Sequence, residues 1–223
     1  MWKGQTSNLL KADLHIHTQY SMDCNTPLDE LIERCNWLGI NCVAIADHGT
    51  AAGGLELKQK APFTVIVAEE ILTPEGEIMG MFLNKTIPSG ISVEEAINSI
   101  REQDGLVCIP HPFDRFRPSA IKEDTLNRIA DKLDIIEVFN ARTLIFKNRN
   151  RVKAFARKYN LKQSAGSDAH TLAEIGNAYV EMPQFSGKED FLNALAQGKI
   201  CGKSTSPLAH FSSLKNRIKK RFG

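Results

Sequence analysis

Leu9-Leu10-Lys11-Ala12-Asp13-Leu14-His15-Ile16-His17 sets two imidazoles and a carboxylate at every second position of a short apolar run. Read as a strand over residues 9–16, side-chain period two sends Asp13, His15 and His17 to one face and Leu14 and Ile16 to the other. That is a metal-ligand arrangement, with a half-exposed polar strand as its plain alternative. The other histidines of the chain decide between the two. They are His48 in Ala46-Asp47-His48, His111 in Ile109-Pro110-His111-Pro112, His170 in Ser167-Asp168-Ala169-His170, and His210, which stands alone and reads as a surface residue.

The flanking sequence explains why these motifs belong together. Apolar runs at residues 41–46, 63–68, 106–109, 135–139 and 161–165 read as buried strands. Each is followed by a polar motif: Asp47-His48, Glu69-Glu70, His111, Asn140 and Asp168-Ala169-His170. A further strand is expected over residues 77–83, after the turn Thr73-Pro74-Glu75-Gly76. Helices are expected from Pro27 to Gly39, weakly over 51–60, from the capping box Ser92-Val93-Glu94-Glu95 to Gly105, over 119–133, over a basic stretch at 144–159, and from a second capping box Ser186-Gly187-Lys188-Glu189 to Gly198. Continuous apolar strands alternating with helices imply a parallel sheet covered on both faces or closed into a barrel. Its functional groups would then collect at the carboxyl ends of the strands.

Composition excludes several classes. With 223 residues, 42% apolar and 24% charged, the chain is expected to form one α/β domain over residues 1–205, followed by a basic tail over 206–223. The net charge of +2 is uneven: seven basic and no acidic residues follow Asp190, which leaves −5 on residues 1–190 and no basic face on the body. No run is long and apolar enough for a membrane span, and no signal-like segment opens the chain. Five cysteines without Cys-x-x-Cys spacing argue against a disulfide framework or a zinc ribbon and for a cytoplasmic location. Cys24, beside Asp23, reads as an incidental buried thiol.

Five histidines with Asp13, Asp47, Glu69 and Asp168 are more donors than one catalytic zinc uses, so two or three ions are expected. Mixed imidazole and carboxylate donors suit zinc, manganese or iron, and Glu69 is the natural bridge because its two oxygens can bind one ion each. Of the adjacent pair, His48 is the expected ligand and Asp47 its support, while Asp13 reads as a residue that orients a ligand. Asn140 either touches substrate or caps the next segment. Arg115, Arg117 and Arg142 lie on loops at the ligand end, and guanidinium groups suit phosphate oxygens.

The ordered motifs Asp13-Leu14-His15-Ile16-His17-Thr18, Tyr20-Ser21-Met22-Asp23, Ala46-Asp47-His48, Glu69, His111-Pro112, Glu137-Val138-Phe139-Asn140 and Ser167-Asp168-Ala169-His170 resemble those of the PHP (polymerase and histidinol phosphatase) family of metal-dependent phosphoesterases. The resemblance spans roughly residues 10–205. It implies a distorted (β/α)7 barrel with a site for zinc, manganese or iron. By motif, His15, His17, Glu69, His111 and Asp168 would hold two ions, and Asp23, His48 and His170 a third. Where family members often carry Gly-His after the bridging glutamate, this chain has Gly76-Glu77.

The resemblance implies a stand-alone enzyme, with no polymerase module in the chain, acting on a small phosphorylated substrate, nucleotides included. Two other readings are a non-catalytic metal-stabilised binding module, with the basic tail contacting an acidic partner, and a metal-dependent C–N hydrolase on the same barrel.

Overall fold

The structure, a computed structural model, describes residues 9–143 and 149–205. The first turn expected for the basic helix, the basic tail and His210 lie outside the described residues.

β1 (Leu9–Ile16) is followed by α1 (Leu28–Leu38), β2 (Cys42–Ile45), α2 (Ala52–Lys60), β3 (Thr64–Thr73), β4 (Gly76–Met81), α3 (Val93–Glu102), β5 (Leu106–Ile109), α4 (Glu123–Arg128), β6 (Ile135–Asn140), α5 (Arg149–Lys158), β7 (Lys162–Gly166), β8 (Ala178–Pro183), α6 (Gly187–Ala196) and β9 (Lys199–Gly202). One nine-stranded sheet has the order β7-β6-β5-β4-β3-β2-β1-β8-β9. Its first seven strands form a nearly closed barrel. The segment leaving β7 pairs with the end of β1: the Asp168 N–H donates to the His15 carbonyl at 2.8 Å, and the His17 N–H to the Ala169 carbonyl at 3.0 Å. The α/β barrel of seven strands read from the sequence is therefore the observed fold.

Closure depends on a glycine. A Cβ on Gly166 would stand 2.2 Å from the His15 Cβ and 2.7 Å from its backbone N, so only glycine lets β7 come this near β1.

Two features depart from the expected regular alternation. β4 runs antiparallel to both β3 and β5, because a tight turn joins it to β3 where a parallel strand would need a crossover. β8 and β9, which have no counterpart among the expected strands, form an antiparallel pair connected through α6, with β8 covering the first half of the β1 edge.

Apolar side chains sort by strand face. Ala12, Leu14, Ala44, Ile66, Ala68, Met79, Met81, Cys108 and Ile135 fill the barrel interior. Val43, Ile45 and Val65 pack outward with Leu31, Cys35 and Leu57, from α1 and α2. Val67, Ile71, Ile78, Val107 and Ile136 pack outward with residues of α3, α4 and α5.

Helix ends follow local chemistry. Gly39 closes α1 at φ +68, and Ser92 with Glu95 forms the expected capping box at α3, a motif worth about 1 kcal/mol. The second expected box does not form. Ser186 offers no side-chain cap, and Asp190, one position beyond Glu189, accepts the Ser186 N–H at 2.8 Å. The 119–133 stretch yields only the short α4 and a 3-10 turn at Ala130–Lys132. Among the described residues, no helix is long and apolar enough to cross a membrane.

Candidate metal centre

The strand ends of the barrel bring five imidazoles and four carboxylates into one buried cluster. β1 contributes most through an irregularity. Its register against β2 shifts between Asp13 and Ile16, and Leu14 faces the interior while Ile16 faces outward. His15 and His17 thereby both reach the site, with ring centroids 5.1 Å apart and Nε2 atoms 3.2 Å apart. Asp13 parts from them, contrary to the single face expected from strict alternation. Its carboxylate accepts the Ser167 and Gly176 N–H groups, each at 2.9 Å, and ties β1 to the loop after β7. Burial pushes its pKa up to about 6 against the pull of these bonds.

β3 decides the central carboxylate. The sequence reading assigns the bridge to Glu69 and ends the strand at Ala68. The strand instead continues to Thr73, paired with β4, so Glu69 and Glu70 take opposite faces. Glu69 points away from the histidines, accepts the Ile87 N–H at 2.9 Å, and is pushed by burial up to about 7. Glu70, with Ile66 and Ala68, faces inward. Its Oε1 lies 2.9 Å from His111 Nε2 and 3.4 Å from His15 Nε2, and its Oε2 lies 3.4 Å from both His17 Nε2 and His48 Nδ1.

Glu77, from β4, completes this side at 3.5 Å from both His48 Nδ1 and His111 Nε2. On the other side, Asp23 Oδ2 lies 3.1 Å from His170 Nε2 and 3.5 Å from His48 Nε2, and Asp168 Oδ1 lies 3.3 Å from His17 Nε2. His111 and Asp168 have left-handed backbone at φ +32 and +54, a costly conformation for residues other than glycine that recurs at functional sites.

Supporting groups fix these side chains. Glu137 accepts from His15 Nδ1 at 3.1 Å and from the His111 N–H at 2.7 Å. Asn140 donates to Glu137 at 2.9 Å and to Asp168 at 3.2 Å, and its Oδ1 accepts the Arg142 N–H at 2.9 Å, so it braces the site and caps the next segment at once. Asp47 accepts both the Thr18 N–H, at 2.6 Å, and its hydroxyl, at 2.7 Å. The Cys24 thiol, which burial pushes up to about 11, lies within donating reach of the carbonyls of His17, at 3.4 Å, and His170, at 3.3 Å.

Among the arginines, Arg117 pairs with Asp168 Oδ2 and lines a cavity of about 400 Å³ over the cluster, together with Arg142. Arg142 is buried against Glu174, at 3.5 Å. Arg115 is exposed and lines a neighbouring cavity instead.

The donor chemistry fits cations. His15 Nδ1 faces Glu137 and His170 Nδ1 faces the Asp168 carbonyl at 2.9 Å, which orients each ring with Nε2 toward the neighbouring acids; burial opposes a charge on His15, but Glu70, Glu137 and Asp168 outweigh it and raise its pKa well above the ordinary value. Burial and the neighbouring His170 and His48 push His17 down to about 3, which keeps it neutral as a ligand must be. Burial opposes ionisation of Asp168, but Arg117 and His15 outweigh it and hold the carboxyl well below the usual range. Glu70 Oε2, Glu77 Oε2 and Asp168 Oδ1 are buried without a hydrogen-bond donor among the described residues. Three overlapping groups have their ligand atoms within 4.8 Å of one another: His15, His17 and Glu70; His48, Glu70 and Glu77; and His17, Asp23, His48 and His170. A divalent cation offers what such converging acceptors lack.

Residues 147–200 match the family described as PHP-associated. The structure superposes on a two-domain protein from Bacteroides vulgatus, described as containing a predicted PHP-like metal-dependent phosphoesterase, with a TM-score of 0.71 and 16% identity over 96% of this chain and 71% of that one. The chain carries a PHP-associated segment on a PHP-like fold.

A relative by sequence, the uncharacterized protein MJ1587 of Methanocaldococcus jannaschii, is 42% identical over 59% of this chain and 82% of its own length. A second solved structure of similar fold is an amidohydrolase from Chromobacterium violaceum with bound sulfate and no metal. It has a TM-score of 0.60 and 16% identity over 74% of this chain and 89% of that one.

The sequence reading missed Glu70 and named Glu77 only as a substitute. Glu174, which accepts the His170 N–H at 3.1 Å, carried no motif. The apolar Ile71-Leu72 beyond the glutamate pair was the available signal that β3 continues.

Proposed function

We propose that the protein is a metal-dependent hydrolase that cleaves a small phosphate monoester or nucleotide phosphodiester. The observation that carries this reading is the cavity in which Arg117 and Arg142 face the same space as His48, Glu70, Glu77, Asp23 and His170. Two or three ions of zinc, manganese or iron, when bound, would supply Lewis acidity and a water that ionises near neutral pH.

The chain's own residues divide the remaining work. Glu70 directs its two oxygens to different histidines and is the residue placed to serve two ions, the role the sequence reading gave Glu69. His15, His17, His111 and Asp168 surround it, with His48, Asp23 and His170 beside them and Glu77 in the corner where relatives often carry a histidine. Glu137 fixes the His15 tautomer, and Asn140 holds Asp168. Arg117 and Arg142 would orient phosphoryl oxygens. Asp168 keeps Arg117 positioned, and because the guanidinium is already largely withdrawn from water, bringing in a phosphate dianion costs it little further desolvation.

A C–N hydrolase is the second reading, favoured by the likeness to an amidohydrolase, since metal chemistry alone does not choose between phosphoryl and carbonyl centres. The test is release of inorganic phosphate from a panel of phosphate esters, against release of amine from matched amides, by protein loaded with each metal in turn. R117A is expected to lower kcat/KM on phosphate esters by about a hundredfold, as loss of a charged hydrogen bond to the transition state does. Amine release without phosphate release would overturn the reading.

A further inference from the structure

Six large apolar side chains stand exposed among the described residues, and three of them, Met22 (49%), Leu72 (45%) and Phe116 (69%), line the one cavity above the metal-ligand cluster. A single exposed apolar residue is ordinary, but these come from the loop after β1, from β3 and from the loop after β5, and converge with Pro118 on a floor of charged groups. β3 itself makes the transition. Glu70 and Leu72 share its inner face, one facing the histidines and the other the opening. The loop after β5 does the same in two consecutive residues. Asp114 accepts the Phe116 N–H at 3.1 Å, and its carbonyl accepts the Arg117 N–H at 3.2 Å, which sets the ring at the mouth and the guanidinium on Asp168.

We infer that the site selects phosphate esters whose alcohol carries a flat or apolar group, held by Phe116, Leu72 and Met22 while the phosphoryl group meets Arg117 and Arg142. This rests on the phosphoesterase reading above. A polyhydroxylated alcohol would leave this rim apolar and wet and would find few neutral polar groups, chiefly Ser89 and Ser119. In the reaction, the P–O bond to the alcohol breaks. Water gives its hydroxyl to phosphorus and a proton to the departing alkoxide, and the alcohol leaves past Phe116.

The test compares 2-phenylethyl phosphate with ethyl phosphate, both esters of primary alcohols, using the full chain loaded with manganese. A kcat/KM ratio of about tenfold or more in favour of the phenylethyl ester is expected, the scale of partial ring burial. F116A should bring that ratio to within about threefold of one, and F116W should restore it. Calorimetry with 2-phenylethylphosphonate and ethylphosphonate reads the same preference without turnover. Equal kcat/KM values together with equal phosphonate affinities would overturn the inference. Phosphonate discrimination without phosphate release from either ester would support the apolar grip and sink the phosphoesterase reading instead.

Discussion

The adjacent pair Glu69 and Glu70 gives the sharpest test, because glutamine at either position keeps the shape and removes only the charge. The Glu70 oxygens lie 2.9 to 3.4 Å from four imidazole nitrogens, so any cation those nitrogens share is within a few ångströms of the carboxylate. At about 4 Å and an effective dielectric of about 20, one unit of charge is worth roughly 4 kcal/mol, about a thousandfold in affinity. E70Q should therefore purify with less metal, require far higher metal concentrations to reload, and lose nearly all hydrolysis. Glu69 accepts the Ile87 N–H, which a glutamine oxygen can also accept, and it carries little obligatory charge near neutral pH because burial pushes it up to about 7. E69Q should keep its metal content and remain within about threefold of the parent rate, with stability changed by about 1 kcal/mol at most. The assay is elemental analysis beside phosphate release for both variants. Metal loss in E69Q with retention in E70Q would refute the strand parity on which the whole site is built.

G166A should be destabilised by more than about 2 kcal/mol in denaturant unfolding, since its Cβ would meet the His15 backbone with no flexible side chain to give way; a neutral result would mean that β7 and β1 are not closed as described. Chelation should lower the melting temperature by several degrees and readdition of metal should restore it, because ions that bind only the folded chain stabilise it by mass action; an unchanged melting temperature would show that the converging donors hold no tightly bound ion.

The order of elements was legible because it rests on local signals. Apolar runs mark the buried strands, Gly39 and the Ser92 box mark helix ends, and the histidine motifs sit where strands stop. Parity was not legible. Val65-Ile66-Val67-Ala68 is apolar on both faces, because a strand between barrel core and helices is buried on both, so period two leaves no mark and the choice between Glu69 and Glu70 falls to tertiary pairing. The shift in β1 that separates Asp13 from His15 and His17 is likewise set by strand pairing, with the Gly166 approach and the rung to Ala169 fixing where it falls. β8 alternates buried and half-exposed residues and β9 has none buried, weaker patterns along a sheet edge than the continuous apolar runs.

The reversed strand explains how a barrel of short βα units gathers so many acids at one point. Glu70 pairs with Met79, and Leu72 with Glu77, so the two glutamates are diagonal neighbours on the inner face of one hairpin. Like charges so placed oppose strand pairing. They are tolerated because both reach the same imidazoles: His48 Nδ1 stands 3.4 Å from Glu70 and 3.5 Å from Glu77, and His111 Nε2 stands 2.9 Å and 3.5 Å from them. Those nitrogens serve as metal ligands only when their lone pairs are free, and then they cannot neutralise the acids by carrying protons. Either protons on the histidines or a cation between the two strands must hold the hairpin's charge, and only the second leaves the histidines competent as ligands. The pairing of β3 with β4 and the occupancy of the metal site are in this way one equilibrium, and it is through this hairpin that loss of metal would reach the stability of the barrel.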